Sequence, residues 1–312
     1  MNNIARALPR PGKVSWRRDF RANWSIYLIF VPVLVYFIIF NYLPMFGITM
    51  AFQDFKATKG FFGSEFVGLE NFIEFFSGPN FATVFRNTIV ISLLGLGVGF
   101  PIAILFALML NEIRFTRLKK TIQTISYLPY FVSAVVICGL IIDFVSSNGI
   151  ITDVLVALGM KRQNLLTNPA YFWWINLASD IWQGTGYGAI IFIAAISNVS
   201  QELFEAATID GANRFQRVWH ITIPSIMPTI ITLFILRCGL LLSIGYDKIL
   251  LLYNPSIYET ADVISTHVIR MGINRMQYGY SAAVGLFNSV VGTILLFGSN
   301  YLSRKLSQTS IF

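Results

Sequence analysis

The chain has 312 residues, 55% of them hydrophobic and only 12% charged, with a mean hydropathy of +0.65. Soluble globular domains carry roughly 25% charged residues, so too few charges are present to cover a water-facing surface, and 28 Phe, 13 Tyr and 6 Trp exclude a disordered chain. The net charge of +8 does not indicate nucleic-acid binding, because no basic stripe is interleaved with aromatics on a soluble face. This is the composition of a membrane protein, for which the relevant length is the helix of about 20 apolar residues that spans hydrocarbon.

Six of the 23 Lys/Arg residues (Arg6, Arg10, Lys13, Arg17, Arg18 and Arg21) precede the first apolar run, so residues 1–23 read as a cytoplasmic basic segment. The run that follows, Trp24 to Leu43, is too long for a signal-peptide core and has no small-residue cleavage site after it. We read it as a retained span closed by Pro44. Five further spans are expected at Thr88–Leu110, Ile122–Phe144, Tyr171–Ile196, Ile226–Leu252 and Ser281–Leu302. The second carries Gly95, Gly97, Gly99 and Pro101, the third has Pro129 near its start, and the fourth opens on the aromatic cluster Tyr171 to Trp174, which suits a membrane interface. The expected fold is all-α integral membrane with six transmembrane helices. A single membrane domain spans residues 24–305, followed by a cytoplasmic tail at 306–312.

Orientation follows from the basic residues. With the N-terminus inside, fourteen Lys/Arg fall on the cytoplasmic side and eight outside, with Arg237 inside a span; this bias puts both termini in the cytoplasm. Cys138 and Cys238 both lie in apolar runs and read as small buried hydrophobes rather than a disulfide or metal site. The connection from Tyr253 to Tyr280 is long and mixed in character, which predicts ordered structure.

The segment Gln201 to Pro224, on the cytoplasmic side between the fourth and fifth spans, is not membrane-like. Gln201–Ile209 has helical spacing with Leu203, Phe204, Ala207 and Thr208 on one side and Glu202 and Glu205 polar. Asp210-Gly211 is a turn signal. A second short helix, Asn213 to His220, carries Phe215 and Trp219 at i, i+4 and Arg214 and Arg217 at i, i+3. Such a pair either lies on the inner leaflet or presents an apolar ridge rimmed by charge to a soluble partner.

Glu205-Ala206-Ala207, Asp210-Gly211-Ala212 two residues later, and Ile221-Thr222-Ile223-Pro224 after eight more resemble the EAA signature of permease subunits of bacterial ABC importers, with Ile223 where Leu is usual. The resemblance implies that Gln201–Pro224 is a coupling helix pair seated in a separate ATPase subunit. Gly211 would be the pivot, Glu205, Ala206, Ala207, Asp210 and Ala212 the docking and turn residues, and Arg214 and Phe215 part of the same surface. Phe66 to Phe72 (FVGLENF), Leu128-Pro129, Trp182 to Tyr187 (WQGTGY), and the stretches Gly245–Pro255 and Glu259–Thr266 are similar to the carbohydrate-uptake branch that imports oligosaccharides from complex polysaccharides. The implied assembly contains a second, homologous permease in a heterodimer, two ATPase subunits that bind ATP and Mg, and an extracytoplasmic solute-binding protein. It implies a multi-pass location in the bacterial cytoplasmic membrane, with lipid around it and no nucleic-acid partner.

No Gly-x-x-x-x-Gly-Lys-[Ser/Thr] phosphate loop, paired carboxylate, metal cluster or nucleophile elbow occurs in the sequence. The chain is therefore read as a transport subunit with no catalytic or metal-ligating residues and no cofactor of its own, its energy arriving through a partner. Asn176, Asp180, Gln183 and Tyr187 share one face of the fourth span, at i, i+4, i+7 and i+11. Polar groups at membrane depth are costly and often functional. A sugar path would use such carboxylates, amides and aromatic faces; the alternative is interhelical bonding, with Asp180 pairing Arg237. Arg237 otherwise offers a charge to an acidic sugar, and Tyr246 and Asp247 lie where substrate or the binding protein would meet the outer end of the fifth span. Two other classes would use the same residues differently: a secondary transporter coupled to ions through Asp180 or Asp143, or a membrane scaffold recruiting a regulator.

Overall fold

The structure, a computed structural model, describes residues 16–243 and 245–307. Arg6, Arg10 and Lys13 of the basic N-terminal segment and residues 308–312 of the expected tail lie outside the described residues. The chain is mostly helical and divides into two units, Met1–Thr49 and Met50–Phe312.

In the first unit α1 (Trp16–Ala22) turns at Asn23 into α2 (Trp24–Phe37). Asp19 fastens the corner, accepting from Asn23 Nδ2 at 2.8 Å and from the Tyr27 hydroxyl at 2.5 Å. Pro44 does not close the apolar run as expected. Helical turns continue through a π turn (Ile38–Tyr42) and a 3-10 stretch beginning at Leu43. Pro44 falls in the first turn of that stretch, where a missing N–H leaves no bond unmade.

In the second unit a two-residue antiparallel pair, β1 (Gln53–Asp54) and β2 (Glu65–Phe66), flanks the single turn α3 (Gly60–Gly63). The next helix, α4 (Glu70–Ser77), is amphipathic and buries Phe75. Asn71 at its start donates to the carbonyls of Ala51 (3.0 Å) and Gln53 (3.1 Å), which ties the FVGLENF segment to the strand. Helices α5 (Phe81–Leu94) and α6 (Phe100–Asn111) form one rod joined by the π turn Gly95–Gly99. Three glycines followed by Pro101, whose ring cannot donate, allow the ladder to slip by one residue without breaking.

The third expected span is displaced. Thr116–Tyr127 forms a separate helix, α7, ended by a 3-10 turn at Leu128–Phe131 in which Pro129 stops the α ladder. The apolar helix α8 starts only at Ala134, capped by Ser133, and runs to Val145; after a break at Ser146–Gly149, α9 (Ile150–Ala157) follows. The fourth element agrees with expectation: α10 (Pro169–Ser197) begins at Asn168, whose Oδ1 accepts from the Ala170 N–H at 3.0 Å. α11 (Gln201–Ile209) leaves it at a 72° bend.

The fifth expected span is split. α12 (Arg214–Arg217), a π turn at Val218–Thr222 and α13 (Ile223–Gly239) make one apolar rod that begins well before the expected Ile226, with Pro224 in the first turn of α13. The chain then breaks, and α14 (Tyr246–Leu252) starts anew. The break follows the crossing of α13 with the last long helix, where a Cβ on Gly239 would lie 2.7 Å from Leu296 Cδ1 and one on Gly292 would lie 2.8 Å from the Gly239 carbonyl. Small residues at such a crossing let two backbones approach. The mixed connection is ordered as α15 (Tyr258–Ala261) and α16 (Ile264–Ile269) before α17 (Tyr278–Ser307).

Among the described residues five helical stretches are long and apolar enough to cross a membrane, or six if α10 with α11 counts as one bent span. α10 is the central element, packed against α5, α6, α7, α13 and α15. One buried cluster, including Ile137, Phe172, Ile249 and Ile257, joins α8, α10 and α14. A second, including Ala107, Ala189, Phe192 and Ile226, joins α6, α10 and α13. Cys138 is buried, Cys238 half-buried, and both are free thiols.

Candidate functional site

Two groups of residues carry chemistry beyond packing. The first is the hairpin after α10. The Ser200 hydroxyl caps α11, accepting from the Glu202 N–H at 3.3 Å. At the other end, Ala212 N–H donates to Ala207 C=O (2.9 Å) and Gly211 N–H to Thr208 C=O (3.1 Å). This is a Schellman turn, and it needs the left-handed φ of +78° that Gly211 supplies. Asn213 and Gln216 then form a reciprocal capping box at 2.8 and 3.0 Å. Arg217 Nη1 donates to Thr208 Oγ1 at 3.1 Å and fixes one helix against the other. Glu205, Ala206, Asp210 and Arg214 are exposed, as are Ile209 (87%) and Phe215 (88%); Ala207 and Ala212 are half-buried under the turn. The sequence thus builds a rigid corner whose outer side is apolar. A helix pair paying for such exposure in water invites a cover.

The second group lies on α10. Asn176 is buried and donates from Nδ2 to Asp180 Oδ2 at 2.9 Å; Asp180 Oδ1 meets Lys248 Nζ at 2.6 Å. The expected alternative pairing of Asp180 with Arg237 does not occur. The break after Gly239 brings α14 back against α8 and delivers Lys248 to Asp180, while Arg237 stays exposed on α13. Gln183 is half-buried on the same face, and Tyr246 and Asp247 are exposed at the start of α14. Tyr187, also exposed, stacks on Tyr130 with ring centroids 3.8 Å apart and planes 3° from parallel, and Phe131 stands edge-on to it. Sequence reasoning passed over Lys248 and Tyr130, though each adjoins a residue it marked: Asp247 and Pro129.

A third set of contacts anchors the connection before α17. Arg270 binds Asp262 through both nitrogens, at 2.9 and 2.5 Å. Asn87 Nδ2 donates to the carbonyls of Glu259 (3.0 Å) and Asp262 (2.9 Å), and Trp173 Nε1 donates to Thr260 C=O at 2.8 Å. His267 is buried between Tyr280, whose hydroxyl lies 2.9 Å from Nε2, and Arg270, whose Nη2 lies 3.2 Å from Nδ1. Nδ1 must accept from the guanidinium, so Nε2 carries the proton and the ring is neutral. Burial pushes its pKa below the ordinary value; the Asp262 charge opposes this, and those of Arg270 and Arg275 add to it. Among the described residues no group of three or more His, Cys, Asp or Glu is placed to hold a metal ion.

Residues 99–308 match the family described as "Binding-protein-dependent transport system inner membrane component". Protein LplB of Bacillus subtilis (strain 168) is 41% identical over 300 residues, covering 96% of this chain and 94% of the relative. The polygalacturonan/rhamnogalacturonan transport system permease protein YteP of the same organism is 39% identical, over 92% of this chain and 90% of the relative. A chain of the crystal structure of a bacterial alginate ABC transporter, in complex with a periplasmic protein bound to an alginate pentasaccharide, superposes with a TM-score of 0.87 and 38% identity, covering 95% of this chain and 99% of that one. The chain belongs to the family of binding-protein-dependent transport system inner membrane components and is a multi-pass membrane permease subunit, not an enzyme.

Proposed function

We propose that this chain is one permease of an ATP-driven importer that carries oligosaccharides handed over by an extracytoplasmic solute-binding protein. The observation that carries the reading is the hairpin of α11 and α12: a pre-formed corner held by the Gly211 Schellman turn, the Asn213–Gln216 box and the Arg217–Thr208 bond, with an apolar outer side. In this reading the hairpin is the coupling helix pair. It lies on the cytoplasmic side between the fourth and fifth of six spans, with both termini expected on that side, and Glu205, Ala206, Ala207, Asp210, Gly211, Ala212, Arg214 and Phe215 form the surface that seats in an ATPase subunit. ATP and Mg are held by two such ATPase subunits, and a second, homologous permease completes the path. Residues 24–305 form the permease domain, between the cytoplasmic segments 1–23 and 306–312.

The rigidity of the corner suits the task. A force applied at Phe215 reaches α13 through an unbroken rod of α12, π turn and α13, and reaches α10 across the 72° bend. The face of α10 bearing Asn176, Asp180, Gln183 and Tyr187 would line the path, with Tyr246 and Asp247 at its outer end and Arg237 on the neighbouring rod. The similarity to a permease named for polygalacturonan/rhamnogalacturonan transport supports a saccharide cargo. Nothing favours ion coupling through Asp180, whose charge is already matched by Lys248.

The test is co-purification of the tagged chain from its native membranes in mild detergent, with and without Gly211→Pro. Proline fixes φ near −65°, which is incompatible with the +78° at this turn. An ATPase and a second permease should co-purify with the wild type and the ATPase should be lost from the variant. A wild-type chain that purifies alone, or a variant that keeps both the ATPase and transport, overturns the reading.

A further inference from the structure

We propose that the start of α7 is a docking surface for anionic lipid headgroups, which Arg114, Arg117 and Lys120 hold at the membrane boundary nearest the α11–α12 corner. The inference does not depend on what the permease carries.

The apolar rod of α5 and α6 ends at Asn111 and α7 begins at Thr116, so this connection lies where the chain leaves hydrocarbon and returns to it. Packing fixes which boundary this is. Ala107 and Leu108 near the end of α6 are buried in one cluster with Phe192 and Ile196 near the end of α10, and Val218, just after α12, packs against the same cluster. α7 then runs beside α10 until the Ser126 backbone meets Gly186. Thr116 lies ten residues before Ser126 and Ser197 eleven after Gly186, about 15–17 Å along either helix. The first turn of α7 is therefore about level with the end of α10, where the corner begins.

Around α7, Ile122, Gln123, Ser126 and Tyr127 are half-buried. The exposed arc carries Arg117 and Lys120 first, then Thr121 and Thr124, then Ile125 (65% exposed), and Leu128 and Phe131 follow exposed in the next turn. Polarity thus falls along the arc from one end to the other, as it does where a helix passes from headgroups into hydrocarbon. The two threonines suit that passage. Thr121 Oγ1 donates to the Arg117 carbonyl and Thr124 Oγ1 to the Lys120 carbonyl, both at 3.0 Å, so neither hydroxyl needs water as a partner. The cations, by contrast, gain nothing from the protein. None of the ion pairs among the described residues includes Arg114, Arg117, Lys119 or Lys120. No acidic residue stands in the first turn of α7, and cations at a helix N-terminus oppose the macrodipole. Phosphate headgroups supply the missing anions through charge-assisted hydrogen bonds, while their acyl chains cover Ile125 and Leu128 deeper on the same arc. A soluble acidic protein would meet only the charged end; an anionic lipid meets both.

The experiment places the full chain, with the subunits that co-purify with it, in phosphatidylcholine nanodiscs doped with photoactivatable phosphatidylglycerol or photoactivatable phosphatidylcholine. Adducts are mapped by mass spectrometry, and the readout is the ratio of anionic to zwitterionic adducts on the peptides that cover residues 114–125. The wild-type ratio should stand well above one and fall as salt is raised, because exposed charges are screened. Arg114→Gln, Arg117→Gln and Lys120→Gln should each lower it about fivefold, the factor equivalent to the roughly 1 kcal/mol that a basic residue contributes beside an anionic surface. Arg114→Lys and Arg117→Lys, which keep the charge, should hold the ratio near its wild-type value. Arg304→Gln with Lys305→Gln, which removes exposed cations from the end of α17, should leave it unchanged. A wild-type ratio near one, or one that survives the glutamine substitutions, overturns the proposal, since the cations then serve only to orient the chain during insertion. Lysine variants that lose as much as the glutamine variants overturn it as well. So do cross-links that join the start of α7 to another protein subunit, because the surface then belongs to that subunit and not to lipid.

Discussion

Gly186→Ala tests the close approach on which the α10 face depends. The added Cβ would meet the Ser126 carbonyl oxygen at 2.2 Å, its carbon at 2.5 Å and its Cβ at 2.8 Å, all inside the 3.0 Å that real Cβ atoms respect. The obstacle is backbone, with no flexible side-chain end to move aside, so α7 must lift by about 1 Å to restore a normal contact. Overpacking of this kind costs about 1–3 kcal/mol, and the upper end applies here; alanine returns about 1 kcal/mol through its better helix propensity. A net loss of about 2 kcal/mol lowers the melting temperature of a chain this size by roughly 3 °C. Gly188, two residues on, is the internal control. Its Cβ would meet Ala103 Cβ at 3.6 Å, an ordinary contact, so Gly188→Ala should leave the melting temperature unchanged or raise it slightly. Thermal unfolding of the two variants in the same detergent decides the matter. Equal melting temperatures for Gly186→Ala and Gly188→Ala would refute the claim that α7 rests on α10 at this point.

The remaining predictions concern the anchored connection before α17. Arg270→Met leaves Asp262, 6% exposed at its side chain, without its cation; breaking a buried pair from one side costs about 3–5 kcal/mol. The double variant Asp262→Asn with Arg270→Met should recover much of that loss in the same melting assay, and a double variant as unstable as the single would contradict the pairing. His267 is held neutral with a lowered pKa, so the unfolded chain takes up its proton first as pH falls below the ordinary histidine value near 6.5. Stability should therefore decline as pH falls through that value and level off once the folded pKa is passed. His267→Gln should flatten that part of the profile; an identical decline in the variant would show that another group is responsible. Gly211→Ala forces a side chain into the left-handed region at a cost of about 1–2 kcal/mol. It should weaken ATPase retention less than Gly211→Pro does, and equal retention for both would remove the backbone argument.

The Gln201–Pro224 corner was legible in the sequence because its causes are local. A serine cap, a Gly that alone tolerates φ of +78°, and an Asn-x-x-Gln box are all written within a few residues of one another. The membrane class was legible for a different reason, since composition is a sum over residues and needs no contacts. Boundaries failed where a proline was weighed without its surroundings: Pro44 was absorbed by a 3-10 stretch and Pro224 by the first turn of α13, while Pro129, read as merely lying near a span's start, divided it.

What the sequence could not decide was which distant groups meet. Asp180 and Arg237 both sit in apolar runs and read as natural partners, yet the crossing of α13 and α17 at Gly239 and Gly292 ends that run early and returns the chain with Lys248 facing Asp180. Tyr130 and Tyr187 are 57 positions apart, and no periodicity links them; their stacking depends on a glycine whose significance shows only when another backbone lies against it. The sequence by itself determined that this protein lives in a membrane and carries a capped helical corner after α10, because hydropathy and capping are properties of neighbours along the chain. Which groups meet Asp180 and Tyr187 on α10 was decided only by tertiary structure, because it depends on where helices break and how closely their backbones approach.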